Sequence, residues 1–137
     1  MASRAIVAVC EASVAALERG AQQFPQAVFW QAMRRASRER CVIARAMVAV
    51  RDEVAGGTLP QSIREVCQRY HGLPDGDFAS LADLAACDRD ATRAMREIVA
   101  RVDRDDAARC ELATAVADFQ VTADDLRARL VQLRRYA

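Results

Sequence analysis

The stretch that decides the fold is DAARCELATAVADFQVTADDLRARLVQLRRYA, residues 106–137. Its apolar residues recur at alternating steps of four and three: Leu112, Val116, Phe119, Ala123, Leu126, Leu130, Leu133 and Ala137. This spacing predicts a helix with one apolar stripe. Such a helix, roughly 40 Å long at about 1.5 Å per residue, is unstable alone in water. We therefore expect other helices to lie nearly parallel to it and cover the stripe.

Three more segments carry the same rhythm of apolar residues. It predicts a first helix from Ser3 to Gln23, a second from Pro25 to about Val54, and a third long helix from Asp77 or Ser80 to Val102. Each of the latter two stripes contains one charged residue among its apolar members. These residues are Arg40 and Asp88.

Glycine and proline mark the connections between these helices. Gly56 and Gly57 end the second helix, and Thr58 with Gln61 forms a capping-box pattern that predicts a short helix to about Tyr70. Residues 71–76 (HGLPDG) are the strongest break in the chain. Residues 103–106 (DRDD) make the turn before the last helix, where carboxylates suit the positive end of the helix dipole.

The composition favours helices over sheets, with only 5 Gly and 3 Pro in 137 residues. Four long helices joined mostly by short connections predict an all-α fold, an antiparallel up-down four-helix bundle that spans residues 1–137 as one domain. The short helix before the third long helix is expected to lie in the longer second connection or to be a broken first half of that third helix.

Charge and cysteine content restrict the partners and the location. All 20 cations are Arg, but 19 carboxylates leave a net charge of +1, so no nucleic-acid role is expected despite the local basic group of Arg34, Arg35 and Arg38. The sequence has neither a signal-peptide pattern nor an apolar stretch long enough to cross a membrane. Its five cysteines form no C-x-x-C pair and are expected to be free thiols. These features predict a cytoplasmic protein.

The midpoints of the four long helices fall near Ser13, Arg40, Asp90 and Gln120, at about one level of an antiparallel bundle. Arg40, Asp88 and Gln120 are therefore predicted to form a buried polar layer. A buried Arg and Asp must pair, because an isolated ion in the core is very costly. Two alternatives stay open: one or both residues point to solvent, or the layer is the remnant of a functional site.

Phe29 and Trp30 are neighbours on the second helix and point about 100° apart, so both cannot lie at the centre of one seam. Two interpretations remain open. Either the buried stripe is wide, or one of the two residues faces outward as part of a protein-binding or self-association surface, where Trp is enriched.

The chain resembles the ferritin-like four-helix-bundle domains of unknown function found in proteobacteria. The resemblance rests on helix lengths, on the position of the central break and on four short stretches: residues 16–19 (ALER), 35–40 (RASRER), 87–91 (CDRDA) and 121–126 (VTADDL). It implies the bundle fold. The family carries no firm biochemical activity that could be transferred to this chain.

Ferritin-like enzymes bind two metal ions through inward-facing carboxylates and Glu-x-x-His motifs. This chain departs from that pattern, because its only histidine, His71, follows Gln68 by three residues, and Glu39 precedes Val42 by three. No metal or other cofactor is therefore expected. Four acidic residues are the remaining ligand candidates, although a solvated helix face is their usual fate: Glu11, Glu39, Asp90 and Asp124. Cys67 and His71, one turn apart, are the only nucleophile–base candidate.

The sequence contains none of the glycine-rich phosphate-binding motifs and no G-x-S-x-G, so nucleotide and hydrolase chemistry lack their motifs. We therefore predict a non-catalytic bundle that acts in protein–protein interaction or self-association, as a homo-oligomer or bound to another protein. The alternative is a ferritin-like metal-binding or oxidoreductase protein with an atypical carboxylate site.

Overall fold

The computed structural model describes residues 1–23, 27–50, 57–73 and 78–135. These residues form five α-helices and no strand, so the prediction of an all-α protein is confirmed. The helices are α1 (Ala2–Gln23), α2 (Ala27–Val48), α3 (Gln61–His71), α4 (Phe78–Ala100) and α5 (Arg109–Arg134).

Three helix boundaries differ from the sequence prediction. α2 ends at Val48 instead of about Val54, and the predicted Gly56 of the following turn lies outside the described residues. α4 ends at Ala100 and α5 begins at Arg109, because aspartate side chains hold the chain in turns between them. The Asp103 carboxylate accepts a hydrogen bond from the Asp105 N–H at 3.1 Å, and the Asp106 carboxylate accepts one from the Ala108 N–H at 2.9 Å.

The capping box predicted before α3 does not form. Pro60 is the N-cap residue, no side chain caps the helix, and the Gln61 amide instead donates to the Glu65 carboxylate at 2.9 Å, one turn further on. α3 ends where the central break was predicted, with the Gly72 N–H donating to the Gln68 carbonyl at 2.9 Å. Residues 74–77 of that break lie outside the described residues.

The helices pack in a closed order in which α1 contacts α2, α2 contacts α5, and α5 contacts α4, while α3 lies between α4 and α1 and contacts both. α4 and α5 run antiparallel, since Arg96 near the end of α4 donates to Gln120 in the first half of α5, whereas Leu81 at the start of α4 and Val131 near the end of α5 line one cavity. The short helix α3 is a separate helix in the connection between α2 and α4, as the first of the two alternatives predicted, and it also packs against α1 and α4. α2 and α4 are not direct neighbours in the described chain, so side chains that join them must reach across the interior.

The predicted stripes line a common core. Five of the α5 stripe residues are buried, and Ala123 and Leu133 are half-buried. The buried set contains residues from all five helices. None of the described helices combines the length and hydropathy that a membrane span requires.

Candidate functional site

The centre of the core holds an ion pair between α2 and α4. Arg40 Nη1 donates to Asp88 Oδ1 at 3.0 Å, and Nη2 donates to Oδ2 at 2.7 Å. Arg40 is 0% exposed and Asp88 is 3% exposed, so neither residue points to solvent. Both interrupt an apolar stripe, and the helices turn those stripes inward. This two-point geometry is the strongest that an Arg and a carboxylate adopt.

Two further helices complete the hydrogen bonding of this pair. The Tyr70 hydroxyl of α3 donates to Asp88 Oδ1 at 2.5 Å, and Arg40 Nε donates to the Thr122 hydroxyl of α5 at 3.1 Å. The Thr122 hydroxyl in turn donates to the Phe119 carbonyl at 2.6 Å. We call Arg40, Tyr70, Asp88 and Thr122 the polar layer.

The guanidinium also lies over an aromatic ring, with its carbon 4.2 Å from the centroid of Phe119. No buried side-chain nitrogen or oxygen of the described residues lacks a hydrogen-bond partner. The cost of removing both charges from water is therefore offset by contacts on every side.

The surroundings shift the pKa values of two residues in the polar layer, Arg40 and Tyr70. Burial works to lower the pKa of Arg40, but the Asp88 charge opposes it and the net pKa is raised, so the guanidinium stays charged. Burial, followed by the Asp88 charge, raises the pKa of Tyr70 well above its usual value, so the phenol keeps the proton that it donates. Neither Arg40 nor Tyr70 therefore titrates near neutral pH.

The prediction that Gln120 belongs to this layer is wrong. Gln120 is half-buried, and its amide oxygen accepts a hydrogen bond from Arg96 at the surface. The position of a residue near a helix midpoint fixes its height along the bundle but not the face on which it lies, and Thr122 is the residue of α5 that faces Arg40. Sequence reasoning also missed Tyr70. Its signal is the stripe of Ile63, Val66 and Tyr70, which are all buried on α3.

The structure separates Phe29 from Trp30. Phe29 is 1% exposed and belongs to the core, so it cannot form part of an interface. Trp30 is 38% exposed, and the Arg34 guanidinium lies 5.0 Å from its ring centroid. Only Trp30 of the pair faces outward, as the 100° offset between successive helical residues requires.

The acidic residues considered as metal ligands do not converge. Glu11 and Asp124 are exposed on α1 and α5, Glu39 accepts from Arg35, and Asp90 pairs with Arg69. Among the described residues, no three His, Cys, Asp or Glu side chains lie close enough together to bind a metal ion. At the centre of the core, where a di-metal site would need open space, the Arg40 guanidinium is packed against Asp88.

The Cys67–His71 pair lacks the environment of a nucleophile. Burial raises the pKa of the Cys67 thiol, whereas a nucleophilic cysteine needs a lowered pKa. His71 is exposed at the end of α3. All five cysteines of the chain are free thiols.

Comparisons of the chain with known protein families, with curated proteins and with solved structures give no match in any of the three.

Proposed function

We propose that the protein is a single-domain, ferritin-like four-helix bundle with α3 added, and that it functions through self-association without catalysis. The proposal rests on the positions of the large apolar side chains that are exposed. Of the six such residues in the described chain, four lie on α2: Val28, Trp30, Val42 and Val48. The other two, Val121 and Val131, lie on α5, which packs directly against α2, but Val131 is on the side of α5 that faces α4. At 100° per residue Val28 and Val42 lie on one side of α2, and exposed valines of this kind on neighbouring helices are typical of protein contacts.

α2 carries an excess of positive charge, and the middle of α5 is acidic, although the Arg residues at the two ends of α5 make that helix neutral as a whole. α2 exposes four Arg (Arg34, Arg35, Arg38, Arg45) and has one acidic residue, Glu39. Residues 110–126 of α5 contain four carboxylates and no cation. Three of these, Glu111, Asp118 and Asp125, recur at steps of seven and so lie along one side of the helix. Arg35 pairs with Glu39 and Asp125 pairs with Arg129 within their own helices, whereas Arg38 and Asp118 are exposed and make no ion pair with a described residue. Arg38 and Asp118 are therefore the charges available to a second copy.

A second copy related by two-fold symmetry can cover the exposed valines and pair the charges of both α2 and α5. Because α2 and α5 are neighbours, a two-fold axis between copies places α2 of each on α5 of the other, and the contact closes as a dimer. Val42 and Val121 supply apolar area, and Arg38 lies opposite Asp118 of the second copy. We call this surface the α2/α5 face.

Three further observations support the proposal over its alternatives. The polar layer fills the place where a metal-binding or oxidoreductase bundle would need open space. The exposed valines among the Arg residues of α2 favour a protein partner over nucleic acid, and so does the net charge of the whole chain, which is only +1. The five free thiols fit a reducing compartment, and we place the protein in the cytoplasm on that ground.

The test is the molar mass of the full chain by light scattering, over a range of protein concentrations and at low and high salt. We expect twice the 15.1 kDa chain mass. Arg38→Glu and Asp118→Arg should each give monomers, because like charges facing each other in an interface cost several kcal/mol. Mixing the two variants should restore dimers, since each 38–118 contact is then a pair of opposite charges.

The matched control is Arg64→Glu, which makes the same charge reversal on an exposed residue of α3. It should leave the dimer intact. A monomer at every concentration, or a dimer that Arg38→Glu does not weaken, contradicts self-association through the α2/α5 face.

A further inference from the structure

A groove runs along the contact between α4 and α5. It consists of two cavities of about 260 Å³ and about 300 Å³. Both are lined by the same four residues at their junction, Ala85, Asp88, Arg89 and Arg127, so they are the two ends of one space. We call this space the α4/α5 groove. Its total size falls in the range of small-molecule sites in proteins.

The two ends of the groove differ in chemistry. The smaller cavity is lined mainly by aliphatic side chains from the start of α4 and the end of α5: Leu81, Leu84, Leu126, Leu130 and Val131. The larger cavity is lined by polar and charged residues: Thr92, Arg93, Arg96, Gln120 and Asp124. The groove therefore changes from apolar to strongly polar along its length.

The charge at the junction is positive and available. Arg89 and Arg127 are exposed, and neither makes a hydrogen bond or ion pair with a described residue. The Asp88 carboxylate beneath them is already neutralised by Arg40 and hydrogen-bonded by Tyr70. Asp124 is the one other carboxylate in the lining, against four guanidinium groups. An anion placed between Arg89 and Arg127 would meet two forked donors suited to a carboxylate.

We propose that the α4/α5 groove binds a small amphiphile with a carboxylate head and an unbranched alkyl tail. The tail lies on the aliphatic end, where burying it removes apolar area from water. The head lies between Arg89 and Arg127. From Leu81 to Asp88 the helix rises about 10 Å at 1.5 Å per residue, which suits a medium-length chain. This site is separate from the α2/α5 face, so either proposal can fail without the other.

The test is titration calorimetry of the full chain with three ligands that have an unbranched chain of ten carbons and differ in the head: decanoate, decanol and decyltrimethylammonium. Each is used below its micelle concentration or solubility limit. Decanoate should bind saturably at one site. Decanol should bind at least about tenfold more weakly, as expected for loss of a charge-assisted hydrogen bond. The cationic ligand should show no saturable binding.

Two variants locate the site. Arg127→Gln, a change at an exposed position, should weaken decanoate binding about tenfold or more. Ala85→Leu places a larger side chain at the junction and should abolish binding, with thermal unfolding used to confirm that the variant folds. Arg64→Gln on α3 is the matched control and should bind decanoate as the parent chain does.

Three results would overturn the proposal. The first is no saturable binding of decanoate. The second is equal affinity for decanoate and decanol, which would show that the head is not recognised. The third is unchanged binding by Arg127→Gln, which would place the ligand elsewhere on the protein.

Discussion

Arg40 is the residue on which the interior most depends, because it is fully buried and donates to both Asp88 and Thr122. Its contacts do not add stability in proportion to their number, since the pair first has to be taken out of water. Arg40 and Asp88 nevertheless depend on each other, because each supplies the opposite charge and the hydrogen bonds of its partner. Removing one leaves a buried charge with too few partners.

Arg40→Met tests this dependence. The variant leaves Asp88 buried with only the Tyr70 hydroxyl donating to its side chain, so we expect it to lower the free energy of unfolding by about 3–5 kcal/mol. Urea unfolding measures the loss. Replacing Asp88 by Leu in the same chain should recover most of it, because no uncompensated charge then remains.

The matched control is Arg69→Met, which removes an ion pair at the surface. Arg69 and Asp90 are 46% and 41% exposed at their side chains, so the expected cost is below about 1 kcal/mol. If Arg40→Met lowered the free energy of unfolding no more than Arg69→Met does, the buried ion pair would be no more important for stability than the exposed one.

The sequence could predict Arg40 and Asp88 in the interior because each is a charged residue within an otherwise apolar helical stripe. It could not predict Thr122, because the four-three stripe of α5 passes through Phe119 and Ala123 and leaves Thr122 off its line. It could not predict Tyr70, because α3 is short and its packing place between α1 and α4 depends on contacts remote in sequence.

At the scale of elements, α3 is held at both ends by α1. Near its start, Arg4 donates to the Gly57 carbonyl at 3.1 Å, and at its end Arg19 donates to the Tyr70 carbonyl at 2.8 Å. An 11-residue helix is marginal by itself, so these contacts and its three buried side chains keep it in place. The position of Tyr70 beside Asp88 follows from that anchoring.

Gly57→Ala tests the entry to α3. Gly57 has φ of +129°, which side-chain-bearing residues rarely adopt, so we expect a loss of about 1 kcal/mol or more in the free energy of unfolding. Gly72→Ala is the control, because Gly72 has φ of −93° and alanine accepts it. Thermal unfolding of both variants measures their losses of stability. Equal losses would contradict a role for the backbone conformation of Gly57.

The helical periodicity predicted the existence and type of every long helix, but it placed some ends wrongly. The glycines suggested that α2 continues to Val54, whereas the regular helix stops at Val48, one residue after the last buried member of its stripe, Met47. Capping patterns are local signals, and at α3 the Gln61 side chain had a competing partner in Glu65.

At the scale of the whole molecule, the buried thiols set a limit on stability in alkali. Burial raises the pKa of Cys10 to about 12 and that of Cys87 to about 12, from 9.0. The folded protein therefore keeps these protons at a pH where the unfolded chain has lost them. The stabilising contribution is complete below pH 9.0 and is lost as the pH rises from there towards about 12.

We expect the free energy of unfolding to fall above pH 9.0, at a rate approaching about 1.4 kcal/mol per pH unit for each of the two thiols. Urea unfolding at a series of pH values measures the slope. Cys10→Ala should make the slope shallower by about the share of one thiol. Cys110→Ala, at an exposed position, should leave it unchanged, and a slope that neither variant alters would contradict this account.

The polar layer takes one residue from each of α2, α3, α4 and α5. Detaching any one of these helices therefore breaks a hydrogen bond at the centre of the protein and admits water to a buried charge. Partial opening therefore costs about 1–3 kcal/mol at the polar layer in addition to the packing that it loses. The slowest backbone amides of these four helices should accordingly exchange with solvent deuterium at a common rate, as one cooperative unit.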